Sequence, residues 1–167
     1  MDLAALDLTS LDLAKLRVLH YPDPRLRQKA RPVADFGEPL APLLKRMFEL
    51  MRAAGGVGLA APQVGVPLRL FVMNTTGQAA DNRVICNPRI EPDGAVVEAE
   101  EGCLSLPGVR VQMRRPGGCI LHARDENGAD VTLSGRELIA RVWQHESDHL
   151  DGVLIIDKMG PSDRIAT

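Results

Sequence analysis

The sequence predicts an α+β fold: short, mostly antiparallel strands packed around a long C-terminal helix that carries an H-E-x-x-H motif, with a second helix near the N-terminus. Two stretches of helical period, one early and one late, enclose a middle region of short apolar runs cut by Gly, Pro and Asn. The 167 residues, 45% of them apolar, suit one domain with its own core.

Residues 2–16 repeat an L-D-L-x-x unit, with leucines at 3, 6, 8, 11, 13 and 16, a spacing that keeps neither a helical nor a strand period. Residues 1–15 are therefore read as an N-terminal arm of unknown order, and 16–167 as a single catalytic domain. Leu16 to His20 is a short strand candidate, closed by the turn residues Pro22, Asp23 and Pro24. A helix is predicted over Pro39–Ala54, where Leu40, Leu43, Leu44, Met47 and Met51 recur at spacings of 3 and 4, with Lys45, Arg46 and Glu49 between them. Gly55-Gly56 ends it.

Short strands are predicted at Leu68–Met73, Val84–Asn87, Ala95–Ala99 and Val109–Met113. Two more, Cys119–Arg124 and Asp130–Leu133, are joined across Asn127-Gly128, which favours a tight hairpin turn. The last helix is predicted to begin at Ser134, because Ser134 with Glu137 three residues on reads as a capping box. Leu138, Val142, His145 and His149 then step 4, 3 and 4 along one face until Gly152.

Composition excludes several classes. With 20 Lys+Arg against 22 Asp+Glu, a net charge of −2, the chain has no cationic excess for phosphates or anionic lipids, so neither nucleic acid nor membrane is an expected partner. No run reaches the 18 apolar residues of a membrane span, and the opening MDLAALDLTSLDLAKL reads neither as a secretory signal nor as a transit peptide. The cytosol is the expected compartment. Cys86, Cys103 and Cys119 are odd in number and widely spaced, a poor disulfide framework.

The chemistry is concentrated in three segments. His145-Glu146-Ser147-Asp148-His149 is an H-E-x-x-H pentapeptide, in which residues four apart on a helix can share one metal ion while Glu146 stands beside its open position as a base for water. The bland alternative is a pair of satisfied core histidines. A catalytic zinc-type centre takes three protein ligands. Six residues past His149, where metzincins carry another His, stands Ile155, and no Glu follows in the chain, so the third ligand is expected upstream. Cys103, in Glu101-Gly102-Cys103-Leu104-Ser105, is the best candidate, since thiolates bind first-row metals; its alternative is a small buried hydrophobe. Cys86 and Cys119 are read as core.

The third segment, Gly56-Val57-Gly58-Leu59-Ala60-Ala61-Pro62-Gln63, suits a backbone that approaches a ligand, with the Gln63 amide as donor to an oxygen. A tight turn or a phosphate loop are its alternatives, though G-x-G-x-x-G and G-K-[ST] are both missing. Asp148 can pair with Arg115 or Arg114, or lie on a solvated face.

GVGLAAPQ at 56–63, EGCLS at 101–105 and QHESDHLDG at 144–152, in this order, resemble the peptide deformylase family, hydrolases that remove the N-formyl group from new polypeptides. The likeness extends over nearly the whole chain from Leu16. It implies that Cys103, His145 and His149 hold one divalent ion, characteristically Fe(II), with Zn(II), Ni(II) or Co(II) also accepted. It also implies that water activated at the ion attacks the formyl carbonyl of an N-formyl-methionyl peptide, while Glu146 takes the proton and hands it to the departing amine.

The oxyanion would be held by the ion, the Gln63 side chain and the Leu104 backbone N–H. By the same resemblance Gly58 and Gly102 let the peptide add as a strand, and Arg110 meets its backbone. Val57, Leu138 and Val142 form an apolar pocket for the first side chain, usually methionine; without the metal beside them all three read as core. Arg141, next to Val142, is expected to tune that pocket. Trp143 is assigned no catalytic role. A monomer working in the vicinity of the ribosome is expected, without docking through the terminal helix that some bacterial members extend past the position of Gly160-Pro161. The other class, a peptide-binding module with lost or altered activity, is disfavoured because every catalytic position is filled.

Overall fold

The middle of the chain forms one antiparallel sheet whose strands lie side by side in sequence order: β1 (Gly58–Ala60), β2 (Leu70–Met73), β3 (Arg83–Cys103), β4 (Leu106–Arg124) and β5 (Asp130–Arg136). The structure, a computed structural model, describes residues 6–160. Expectations about the first five residues and about the chain beyond Gly160 lie outside the described residues.

All four residues of β2 are buried, and their side chains alternate between the two faces of the sheet. Leu70 and Val72 point to one face, where Leu40, which caps helix α1 (Ala41–Ala53), and Leu43, Leu44, Met47 and Met51 of that helix complete a core. Phe71 and Met73 point to the other, against Ala140, Val142, Trp143 and Leu150 of helix α2 (Glu137–Leu150). The sheet therefore carries a helix on each face rather than wrapping one. Leu6, Leu8, Leu11 and Leu13 of the N-terminal arm pack on the α1 core, where Arg46 of α1 donates to the carbonyls of Leu13 and Leu16.

Three expectations are corrected. The strands are not all short: Val84–Asn87 and Ala95–Ala99 are parts of one 21-residue strand, β3, and Val109–Met113 and Cys119–Arg124 are parts of the 19-residue β4. Pro92 pairs with Cys119 inside β3, and Gly94 falls where the pairing slips between Asp93 and Val96. Leu16 to His20 is not a strand; it is tied by single backbone bonds, from Leu19 N to Gln63 O and from Tyr21 N to Ser105 O.

Ser134 does not cap a helix. It pairs with Ile120 in the sheet, and α2 starts at Glu137, whose left-handed φ of 56° turns the chain sharply from strand into helix. Gly135, just before the turn, lies under Trp143: a Cβ there would stand 2.5 Å from the indole ring.

Candidate metal centre and active site

Three elements bring the chemical groups together. The β3–β4 hairpin turns at Leu104-Ser105, with Cys103 facing Leu106, so Cys103 ends its strand just beyond a slip in the pairing. Helix α2 supplies His145 and His149 one turn apart on the face that packs on the sheet. A 3₁₀ turn over Ala61–Val64, with Pro62 in its first turn and Gly65 after its end, carries Gln63.

The ligand atoms of Cys103, His145 and His149 lie within 4.8 Å of one another, and Cys103 Sγ is 3.4 Å from His149 Nε2. Among the described residues this is the one such cluster. His145 Nδ1–H donates to Glu101 Oε1 at 3.1 Å, which leaves Nε2 as the ring nitrogen that a cation would engage on displacing its proton. Glu101 is itself held by Arg115, whose Nε and Nη2 donate at 2.8 and 3.1 Å, and by Arg141 Nη1 at 2.8 Å. Arg115 continues to Asp148 at 2.9 Å, the first of the two pairings the sequence allowed.

Burial and charge divide the titrating groups. Burial would raise the Glu101 carboxyl, but hydrogen bonds from His145 and Arg115 hold it down at about 2. Burial disfavours the charged form of both histidines. At His145 the contacts with Cys103 and Glu101 prevail and push it up to about 10, while His149 falls well below the ordinary value, driven by burial and then by the charge on His145 and Arg115. Glu146 is pushed up to about 7, mainly by burial, against the pull of His145 and Arg115.

Glu146 is 5% exposed, and its Oε2 has no hydrogen-bond partner among the described residues. Its Oε1 rests on Gly58, where a Cβ would come within 2.8 Å. Gln63 Oε1 accepts from Ala60 N at 2.9 Å, which fixes the amide so that Nε2 donates to Ser105 Oγ at 3.1 Å and stands 3.7 Å from Cys103 Sγ.

A cavity of about 630 Å³ opens over this cluster. It is lined by Val57, Gly58, Gln63, Gly102, Cys103, Leu104, Arg110, Leu138, Val142, His145 and Glu146, so every site residue expected from the sequence borders it except His149, which lies beneath. Of the three apolar residues only Val142 is buried; Val57 and Leu138 line the cavity at 40% and 52% exposure, against the alternative that they are core. Gly102 faces Arg110 across the hairpin.

Sequence reasoning missed Ser105, which anchors Gln63, and the place of Glu101 at the hub of the buried charges. Glu101 stood inside the EGCLS segment, and its neighbourhood to a metal-ligand candidate was the available signal. Ser105 closes the same segment and was assigned no role.

The donor set fits a first-row divalent ion: one thiol and two imidazoles converge, a carboxylate orients one imidazole from behind, and a buried carboxylate oxygen without a partner stands beside them.

Comparisons with known proteins agree. A family model described as polypeptide deformylase matches residues 15–164. The peptide deformylase of Thermodesulfovibrio yellowstonii is 41% identical over 154 residues, 91% of this chain and 93% of that protein. Among solved structures, a peptide deformylase from Legionella pneumophila superposes with a TM-score of 0.86 at 42% identity, covering 90% of each chain. One from Plasmodium falciparum gives 0.87 at 34% identity, again over 90% of each. With the family model spanning nearly the whole chain and close relatives covered almost end to end, this chain belongs to the polypeptide deformylase family.

Proposed function

We propose that this chain is a metal-dependent amidase that removes the N-formyl group from N-formyl-methionyl polypeptides and releases formate. The observation that carries the reading is the buried Glu146 carboxylate beside the converging Cys103, His145 and His149 in the floor of a peptide-sized cavity. A divalent ion held by these three side chains would supply a Lewis acid and lower the pKa of a bound water towards ~7. Fe(II) is the proposed ion, with Zn(II), Ni(II) and Co(II) as substitutes, since a Cys/His₂ set suits several first-row metals.

The protein's own groups do the rest. Glu146, with its carboxyl near 7, can take a proton from water and return it to the departing amine, which leaves badly unless protonated. Gln63, oriented by Ala60 N and Ser105 Oγ, offers Nε2–H to the carbonyl oxygen as charge builds there, joined by the Leu104 N–H. β1 is an edge of the sheet, so a peptide can add beside Gly58 and meet Gly102 and Arg110 across the cavity. Val57, Leu138 and Val142 then receive the unbranched first side chain.

The same reading assigns the protein to the cytosol as a monomer, acting on chains in the vicinity of the ribosome. No helix among the described residues is long and apolar enough to cross a membrane.

The test is formate release from a formyl-Met dipeptide by protein purified anaerobically, with metal assayed on the same sample. Release is expected, with Glu146→Ala reducing it at least 10²-fold while metal content is kept. A Glu146→Ala protein as active as its parent would remove Glu146 from the chemistry.

A further inference from the structure

Arg141 takes part in two structures at once. It lines the cavity beside Leu138 and Val142, yet its guanidinium is turned away from solvent and spread over three acceptors on two strands. Nη1 donates to Glu101 Oε2 at 2.8 Å and to Met113 O at 3.3 Å, and Nη2 donates to Val97 O at 2.6 Å. Glu101, through its other oxygen, accepts from His145 Nδ1. Arg141 and His145 lie one turn apart on α2, so both reach down to the same carboxylate.

We propose that Arg141 is the residue that sets the width of the first-side-chain pocket and, through Glu101, the orientation of His145; this rests on the deformylase reading for its substrate arm only. A long side chain pinned at its far end cannot swing aside. Its stem is a fixed wall between Leu138 and Val142, which admits an unbranched thioether and resists a ring or a branched chain. The guanidinium beyond the wall shares Glu101 with Arg115 and His145, so its removal leaves Glu101 Oε2 with Arg115 Nε alone as its donor and frees the carboxylate to tilt. Carboxylates that orient a ligand histidine commonly matter 10–100-fold to metal affinity.

Two variants separate the two roles. Arg141→Met keeps a stem of similar length and removes the guanidinium; Arg141→Ala removes both. The measurements are kcat/KM for formyl-Met and formyl-Phe dipeptides, and Co(II) affinity of the metal-stripped protein by competition with a chelator, with folding checked by circular dichroism.

In Arg141→Ala the formyl-Met over formyl-Phe ratio is expected to fall at least 10-fold, a change a merely structural role would not produce. In Arg141→Met the ratio is expected within about threefold of the parent, while Co(II) affinity drops about 10-fold or more. An unchanged ratio in Arg141→Ala overturns the pocket role, and unchanged Co(II) affinity in Arg141→Met overturns the link to His145. If the parent released no formate at all, the deformylase reading would fail, whereas the Co(II) arm would still decide the link.

Discussion

Glu146 shows how much of this site is decided by single contacts. Its Oε1, Cγ and Cδ lie 2.8, 3.0 and 3.1 Å from where a Cβ on Gly58 would stand, so the intrusion meets a side chain rather than backbone. Alanine at 58 can therefore be accommodated, but only by moving the carboxylate. Gly58→Ala is expected to keep its fold and its melting temperature to within a few degrees while kcat/KM falls about 10²-fold, the usual effect of misplacing a catalytic group by about 1 Å. Steady-state kinetics and a thermal melt on the same preparation check it; full activity would show that the Gly58 contact does not position Glu146.

At the scale of elements, the junction of β4, α2 and the β3 end is held by buried charge rather than by apolar packing alone. Glu101 and Arg115 are 8% and 3% exposed, and Arg141 and His145 close the set. The Glu101 carboxyl sits at about 2 against an ordinary 4.5, so as pH falls the unfolded chain takes up this proton before the folded one does. Its stabilisation is whole above pH 4.5 and is lost as pH falls from there to about 2. Glu101→Gln is expected to lack that slope and to be less stable at pH 7 by about 3–5 kcal/mol, because two arginines lose their buried carboxylate. Urea unfolding followed by the fluorescence of Trp143, the only tryptophan, at pH 7 and across the acid range measures both.

The same junction explains what was and was not legible in the sequence. The H-E-x-x-H spacing is a local property of a helix, and it marked the two histidines and Glu146 directly. Ser134 with Glu137 has the local pattern of a helix start, yet pairing of Ser134 with Ile120 keeps that residue in the sheet and moves the turn to Glu137. Reading Val84–Asn87 and Ala95–Ala99 as separate short strands failed for a like reason: neighbouring strands tolerate a slip in pairing that local propensity does not foresee. Glu101 was legible as a residue but not as a hub, because Arg115, Arg141 and His145 meet it from 14, 40 and 44 positions away.

For the molecule as a whole, the sheet divides two jobs. One face, with α1 and the leucines of the arm, is apolar core; the other, with α2, carries the ligands, and the β3–β4 hairpin delivers Cys103 to its edge. Cys103 comes from the β3–β4 hairpin and the two histidines from α2, elements far apart in sequence, so the centre exists only in the folded chain, and one ion per chain is its capacity. The most direct test is to strip the metal, add Fe(II) or Co(II) back anaerobically in steps, and follow formate release from a formyl-Met peptide. Activity absent without metal, rising to a plateau at one ion per chain and abolished in Cys103→Ala, is the predicted result. A folded protein loaded with one ion per chain that releases no formate would contradict it.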